Sequence, residues 1–173
     1  MSQNDLSSPQ AMNEERCPAC GASVSGGRAG CQALFDALTA QSYSDALYAA
    51  TYSLALDAYC MQHPESYGHS AKSYAAHLMR LCCGLEHGCD HKVYEAIQKW
   101  LNGAPAVEKP EVPGFRGKMT VADLTAARNA EEHAKLVREW AGSVWAAYAT
   151  QHDIARNWIM AALSIKDRAK TKR

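Results

Sequence analysis

Cys17-Pro18-Ala19-Cys20-Gly21, followed by Cys31, is the stretch of this sequence best suited to chemistry. A Cys-x-x-Cys turn brings two thiolates onto one ion, and the glycine after it relieves the backbone where it bends sharply. Three soft sulfur donors point to a bound metal, with zinc the best match. Cys17, Cys20 and Cys31 are therefore the first candidate ligands. A closed structural zinc site needs a fourth.

Helix levels suggest where the fourth ligand lies. If the first three helices run up and down side by side, Cys31 stands roughly 15 Å above a turn near residues 41–44. The second helix then climbs to roughly 28 Å, and His77 on the third descends about 10 Å from that top. This returns His77 close to the level of Cys31, on the apolar stripe of its helix. His63 ends the second helix, roughly 10 Å higher. The count favours His77 as fourth ligand and keeps His63 second. Another group, Cys82, Cys83, His87, Cys89 and His91, has no standard metal spacing. Cys82 and Cys83 cannot share one direction on a helix, so these read as buried thiols and surface histidines.

The elements that must position these residues read as helices. Leu34, Phe35 and Leu38 share one face of a helix that begins at Cys31. Ser44 is a candidate N-cap for a second helix carrying Leu47, Thr51, Leu54, Ala58 and Met61, which ends at Pro64. Ser70 caps a third with Tyr74, His77, Leu78, Leu81 and Leu85 on one side. Asp90 caps a fourth with Val93, Ile97, Trp100 and Leu101, stopped by Asn102-Gly103. Residues 104–119, with Pro105, Pro110 and Pro113, form a loop. Thr120 and Asp123 match a capping box. From Ala130 to Ile165 one stripe runs through Leu136, Trp140, Val144, Tyr148, Gln151, Ala155, Trp158 and Ala162. A second runs through Trp145, His152, Arg156 and Ile159, so this stretch is covered on both sides or breaks near residues 151–153. No alternating strand pattern occurs. The expected fold is an all-α helical bundle with an N-terminal zinc knuckle. Residues 1–15 read as a disordered segment, 16–165 as one zinc-binding helical domain and 166–173 as a basic tail.

Composition limits the function classes. Of 173 residues, 18 are basic and 18 acidic, a balance that disfavours a broad phosphate-gripping face and hence nucleic-acid binding. No apolar run reaches membrane length, and the first residues lack the apolar core of a signal peptide. A cytoplasmic protein is expected. Its seven cysteines would then serve as thiols or ligands rather than disulfides.

Several motifs carry a wider likeness. Cys17-Pro18-x-Cys20-Gly21, Cys31-Gln32-x-Leu34-Phe35, Asp57-Ala58-Tyr59-x-x-Gln62-His63-Pro64-Glu65 and Ser70-Ala71-Lys72-Ser73-x-Ala75-Ala76-His77-Leu78 together resemble a bacterial family of unknown function. Arg116-Gly117-x-x-Thr120-Val121-Ala122-Asp123 and Trp140-Ala141-x-Ser143-Val144-Trp145 extend the resemblance over about residues 17–160. It implies a bacterial cytoplasmic protein and draws attention to His63, Lys72, Ser73, His77 and His152. It implies no activity.

Three function classes follow from these residues. The first is a zinc-stabilised helical module that binds an unidentified protein partner or serves regulation. The second is a metal-dependent hydrolase or transferase with an inter-helix site using His63 and His77, where Asp57 could orient a ligand histidine. The third is a thiol-redox sensor, although the Cys-x-x-Cys here lacks the strand–helix setting of a thioredoxin motif. Adjacent helix positions point about 100° apart, which disfavours a Lys72–Ser73 catalytic pair. His152 and Arg156, one turn apart, could meet an anion or pack with Trp145.

Overall fold

The first helix starts earlier than its apolar pattern suggests. A computed structural model describes residues 16–88 and 90–170, with side chains through residue 164. In it, Gly26 takes a left-handed φ of 80°, open to glycine at little cost, and turns the chain directly into α1 (Gly27–Ser44). Residues 27–30, just before Cys31, are thus the first turn of this helix. Phe35 and Leu38 lie in the core, and Leu34 packs against it.

α1 absorbs Ser44, so the second N-cap is Asp45. Its carboxylate accepts from Leu47 N–H at 2.8 Å, and α2 (Ala46–Gln62) follows at once. One residue therefore separates the two helices. Leu47, expected inside, is 63% exposed, whereas Leu54, Ala55, Asp57, Ala58, Tyr59, Cys60, Met61 and Gln62 are all buried. The reason is position: α2 packs against α1, α4 and α6, so its C-terminal half is covered all round and loses a single apolar stripe.

Pro64 stops α2 and opens the short α3 (Pro64–Tyr67). Ser70 caps α4 (Ala71–Glu86) by accepting from Ser73 N–H at 3.0 Å. Asp90 caps α5 (His91–Asn102) by accepting from Lys92 N–H at 2.8 Å. The expected capping box forms at Thr120 and Asp123, but it starts a 3-10 helix, Val121–Ala126. The long C-terminal stretch breaks into α6 (Ala130–Ala147) and α7 (His152–Lys170), with a 3-10 turn, Ala149–Gln151, between them. The break begins slightly before the expected point, and the α7 backbone continues past the expected domain end at 165.

The fold is an all-α bundle. Among the described residues, extended pairing is limited to one antiparallel bridge between Arg16 and Ser23. Trp140, Tyr59, Tyr74, Tyr148 and Met61 are the largest fully buried side chains. α7 packs on α4 and α5. No described helix is long and apolar enough to cross a membrane. The disordered segment expected over residues 1–15, Cys89 and the side chains of the basic tail lie outside the described residues.

Candidate metal centre

The knuckle closes on itself through its backbone. Cys17 N–H donates to the Ala22 carbonyl at 2.9 Å, and Gly21 N–H donates to the Cys17 carbonyl at 2.8 Å. Gly21 sits at φ 78°, the left-handed conformation this return requires. Cys17 and Cys20 are thereby turned toward the second turn of α1, where Cys31 lies fully buried.

The fourth group at this point is His63, the C-cap of α2. Its Nε2 lies 3.5 Å from the sulfurs of both Cys17 and Cys31, and the Cys20 and Cys31 sulfurs are 3.6 Å apart. All four donor atoms fall within 4.8 Å of one another, close enough to hold a metal ion. Among the described residues this is the one such group of His, Cys, Asp or Glu.

His77 does not join it. The imidazole expected as fourth ligand instead donates from Nδ1 to Asp57 Oδ1 at 2.9 Å. The helix-level count fails because the turn is the single residue Asp45 rather than residues 41–44. Cys31 then stands about 14 residues, or roughly 21 Å, from the turn, and His63 about 18 residues, or roughly 27 Å. The remaining gap is within reach of a histidine side chain that leans toward its helix N-terminus.

His63 is held for this role. Its Nδ1–H donates to the Tyr59 carbonyl at 2.8 Å, which leaves the Nε2 lone pair facing the sulfurs. Tyr59 and His63 are one turn apart, and their rings lie 4.1 Å from centroid to centroid. Tyr59 in turn stacks on Phe35 of α1 at 3.9 Å and 5°. Gln32 accepts from the Tyr59 and Tyr67 hydroxyls at 3.2 and 2.9 Å, so α1, α2 and α3 are tied together beside the cluster.

Arg116, which sequence reasoning quoted but gave no role, is the clamp over the knuckle. It donates to the carbonyls of Ala19, Gln62 and Pro113 at 3.3, 3.1 and 3.2 Å and forms a two-pronged pair with Glu65. One guanidinium thus joins the knuckle, the end of α2, α3 and the long loop. Gln62, fully buried, donates to the Arg116 and Met119 carbonyls at 3.0 and 2.7 Å and accepts from Trp140 Nε1–H at 2.9 Å. The only sequence signal for this shell is its crowding around His63: Tyr59, Gln62 and Glu65 are its near neighbours.

Electrostatics at the cluster favour a cation. The hydrogen bond from the Cys31 thiol pulls the Cys20 thiol down to about 4, against its burial and with help from His63 and Ala22 N–H. The same bond, together with burial, pushes Cys31 far up. Three crowded sulfurs cannot all ionise without a compensating charge, and a divalent ion supplies one.

The other sequence candidates have structural partners. Ser73 Oγ donates to the Tyr67 carbonyl while Lys72 is exposed, so no Lys72–Ser73 pair exists. His152 stacks on Trp145 at 3.8 Å and 10°, and Arg156 pairs with Glu86 at 2.7 Å. These are packing and ion-pair roles. Cys82 and Cys83 are buried, and His87 and His91 are exposed.

Residues 15–156 match the sequence model of a family of unknown function, DUF5946. The chain belongs to that family. Neither the curated proteins nor the solved structures gave a match. The DUF5946 match spans the knuckle, α1, α2 and both halves of the clamp, so the whole cluster lies inside the family's region.

Proposed function

We propose that this protein is a zinc-stabilised helical module, with Cys17, Cys20, Cys31 and His63 closing a structural site that staples the knuckle onto α1 and α2. One observation carries the reading. A tetrahedral zinc with Zn–S near 2.3 Å and Zn–N near 2.0–2.1 Å requires S···S edges of about 3.8 Å and S···N edges of about 3.6 Å. The observed 3.6 and 3.5 Å fit those edges. Thiolate-rich tetrahedral sets select zinc over oxygen-seeking ions. Four protein ligands leave no position for a water, which favours a scaffold over a hydrolase or transferase. With His77 held by Asp57, the His63–His77 pairing behind the enzymatic alternative also loses its support. Thiolates of this kind persist in a reducing compartment, consistent with a cytoplasmic location.

The face built by the staple would serve a protein partner. A groove of about 480 Å³ runs between residues 16–21 and residues 114–120. Arg16, Arg116 and Lys118 line it, no acidic residue among the described residues does, and Phe115 stands 63% exposed at its rim. That chemistry suits an acidic segment with an apolar side chain. The test is metal content and cobalt substitution of the purified chain. One equivalent of zinc, and a cobalt spectrum with thiolate charge-transfer and tetrahedral bands insensitive to added cyanide, are expected. A bound water that cyanide replaces would overturn the closed-site reading. A glutamate- and leucine-containing peptide should give saturable NMR shifts confined to the groove, abolished in Lys118→Glu; shifts absent or spread over the surface would overturn the partner assignment.

A further inference from the structure

A second cluster of ionisable groups lies between α2 and α4. Asp57 is 0% exposed, yet it is a carboxylate. Its Oδ1 accepts from His77 Nδ1–H at 2.9 Å, and its Oδ2 lies 3.2 Å from Arg80 Nε. His77 and Arg80 are one turn apart on α4 and so share a face. Neither Asp57 Oδ2 nor Arg80 Nε makes a well-angled hydrogen bond. Burial pushes the Asp57 carboxyl up, against the pull of His77 and Arg80. Burying an ion pair at a helix contact is costly, and an apolar pair of similar volume would pack there at no such cost. Stability alone does not account for the arrangement.

The outer edges of the same groups do. A carboxylate only accepts, so the His77 proton is fixed on Nδ1 and Nε2 points away from Asp57. The His77 and Arg80 side chains are 18% and 30% exposed. Among the described residues, His77 Nε2 and the two Nη atoms of Arg80 bond to no protein acceptor. The guanidinium carbon lies 5.4 Å from the Tyr94 ring centroid, on α5, which supports its plane from one side. Cys60, the other ionisable group near Asp57 on α2, is pushed up to about 12 by burial and by Asp57, so it adds no negative charge.

We propose that His77 and Arg80 form a phosphate-binding site at the surface of α4, with Asp57 as the positioning residue. The two Nη groups of Arg80 donate to two oxygens of a phosphoryl group while the His77 Nε2 lone pair accepts from its P–OH, a combination that a carboxylate, with no such proton, does not match. A guanidinium fork of donors beside an imidazole acceptor is a preorganised set for such an oxyanion. The phosphate could be free or carried on a small ester. The site is separate from the metal centre and stands whether or not that reading holds.

The test is an NMR titration of the full chain, metal bound as purified, with inorganic phosphate and separately with phenyl phosphate at constant ionic strength. His77 ring and Arg80 Nε signals should shift saturably, while the exposed His87 and His91 rings do not. Arg80→Gln and His77→Gln should each weaken binding at least tenfold without changing metal content. Asp57→Asn should weaken binding with His77 and Arg80 both present; should it fail to fold, Arg80→Lys, which keeps the charge and loses the fork, should still weaken binding at least tenfold. Tighter binding of phenyl phosphate identifies an ester ligand, and equal or weaker binding identifies free phosphate. Shifts that never saturate, that chloride reproduces, or that persist in Arg80→Gln would overturn the proposal.

Discussion

Replacing His63 by alanine tests the metal centre most directly. The imidazole is 2% exposed, contributes Nε2 at 3.5 Å from two sulfurs, and packs against Tyr59 at 4.1 Å. Losing one of four ligands should weaken the metal site by at least the 100-fold upper range seen for outer-shell changes. With metal saturating, a 100-fold loss removes about 2.7 kcal/mol of linked stability. Truncating the buried ring and freeing the Tyr59 carbonyl adds about 1–2 kcal/mol. The total of about 4 kcal/mol corresponds to a melting temperature lower by roughly 8–16 °C for a chain of this size. His77→Ala, by contrast, should leave metal content unchanged. Metal analysis after gel filtration, chelator competition and thermal melts by circular dichroism measure all three quantities. Full metal retention in His63→Ala, together with release in His77→Ala, would refute the ligand assignment.

Gln62→Leu leaves the Trp140 N–H and two loop carbonyls unpaired in the interior, and unfolding in urea should show a loss of about 3–5 kcal/mol. Arg116→Gln removes the bonds from the clamp to Ala19, Gln62 and Glu65, and chelator should strip metal about 10–100-fold faster while helix content is unchanged. The Arg156 bond holds the Glu86 carboxyl below its usual value against its burial, so its stabilisation is present above the unfolded carboxylate pKa and fades as pH falls through the lower folded value. Solvent screening of the exposed Arg156 keeps the contribution of this pair small. Glu86→Gln should therefore be less stable than the parent at pH 7, and the gap in denaturant midpoint should close toward pH 3. An equal gap at both values would remove the ion pair as its cause.

Several features were legible from local chemistry because neighbouring residues alone produce them. The Cys17–Cys20 knuckle, the Ser70 and Asp90 caps, the Thr120–Asp123 box and the stop at Pro64 each need only a few adjacent side chains. The proximity of Cys17, Cys20 and Cys31 was legible for the same reason, since two sit in one turn and the third follows within the next helix. The break in the last helical stretch was visible as two stripes that one straight helix cannot bury together.

Other features were decided only when helices met. Ser44 and Asp45 are both good caps, and packing of α1 on α2 through a single linking residue selected Asp45. That choice set the relative heights of the helices and so placed His63 rather than His77 beside the sulfurs. The pairing of His77 with Asp57, and the reach of Arg116 across 97 residues to Ala19, have no local signal at all. Sequence spacing determines which donors can share a turn; which distant donor joins them depends on helix register, fixed here by packing around α2.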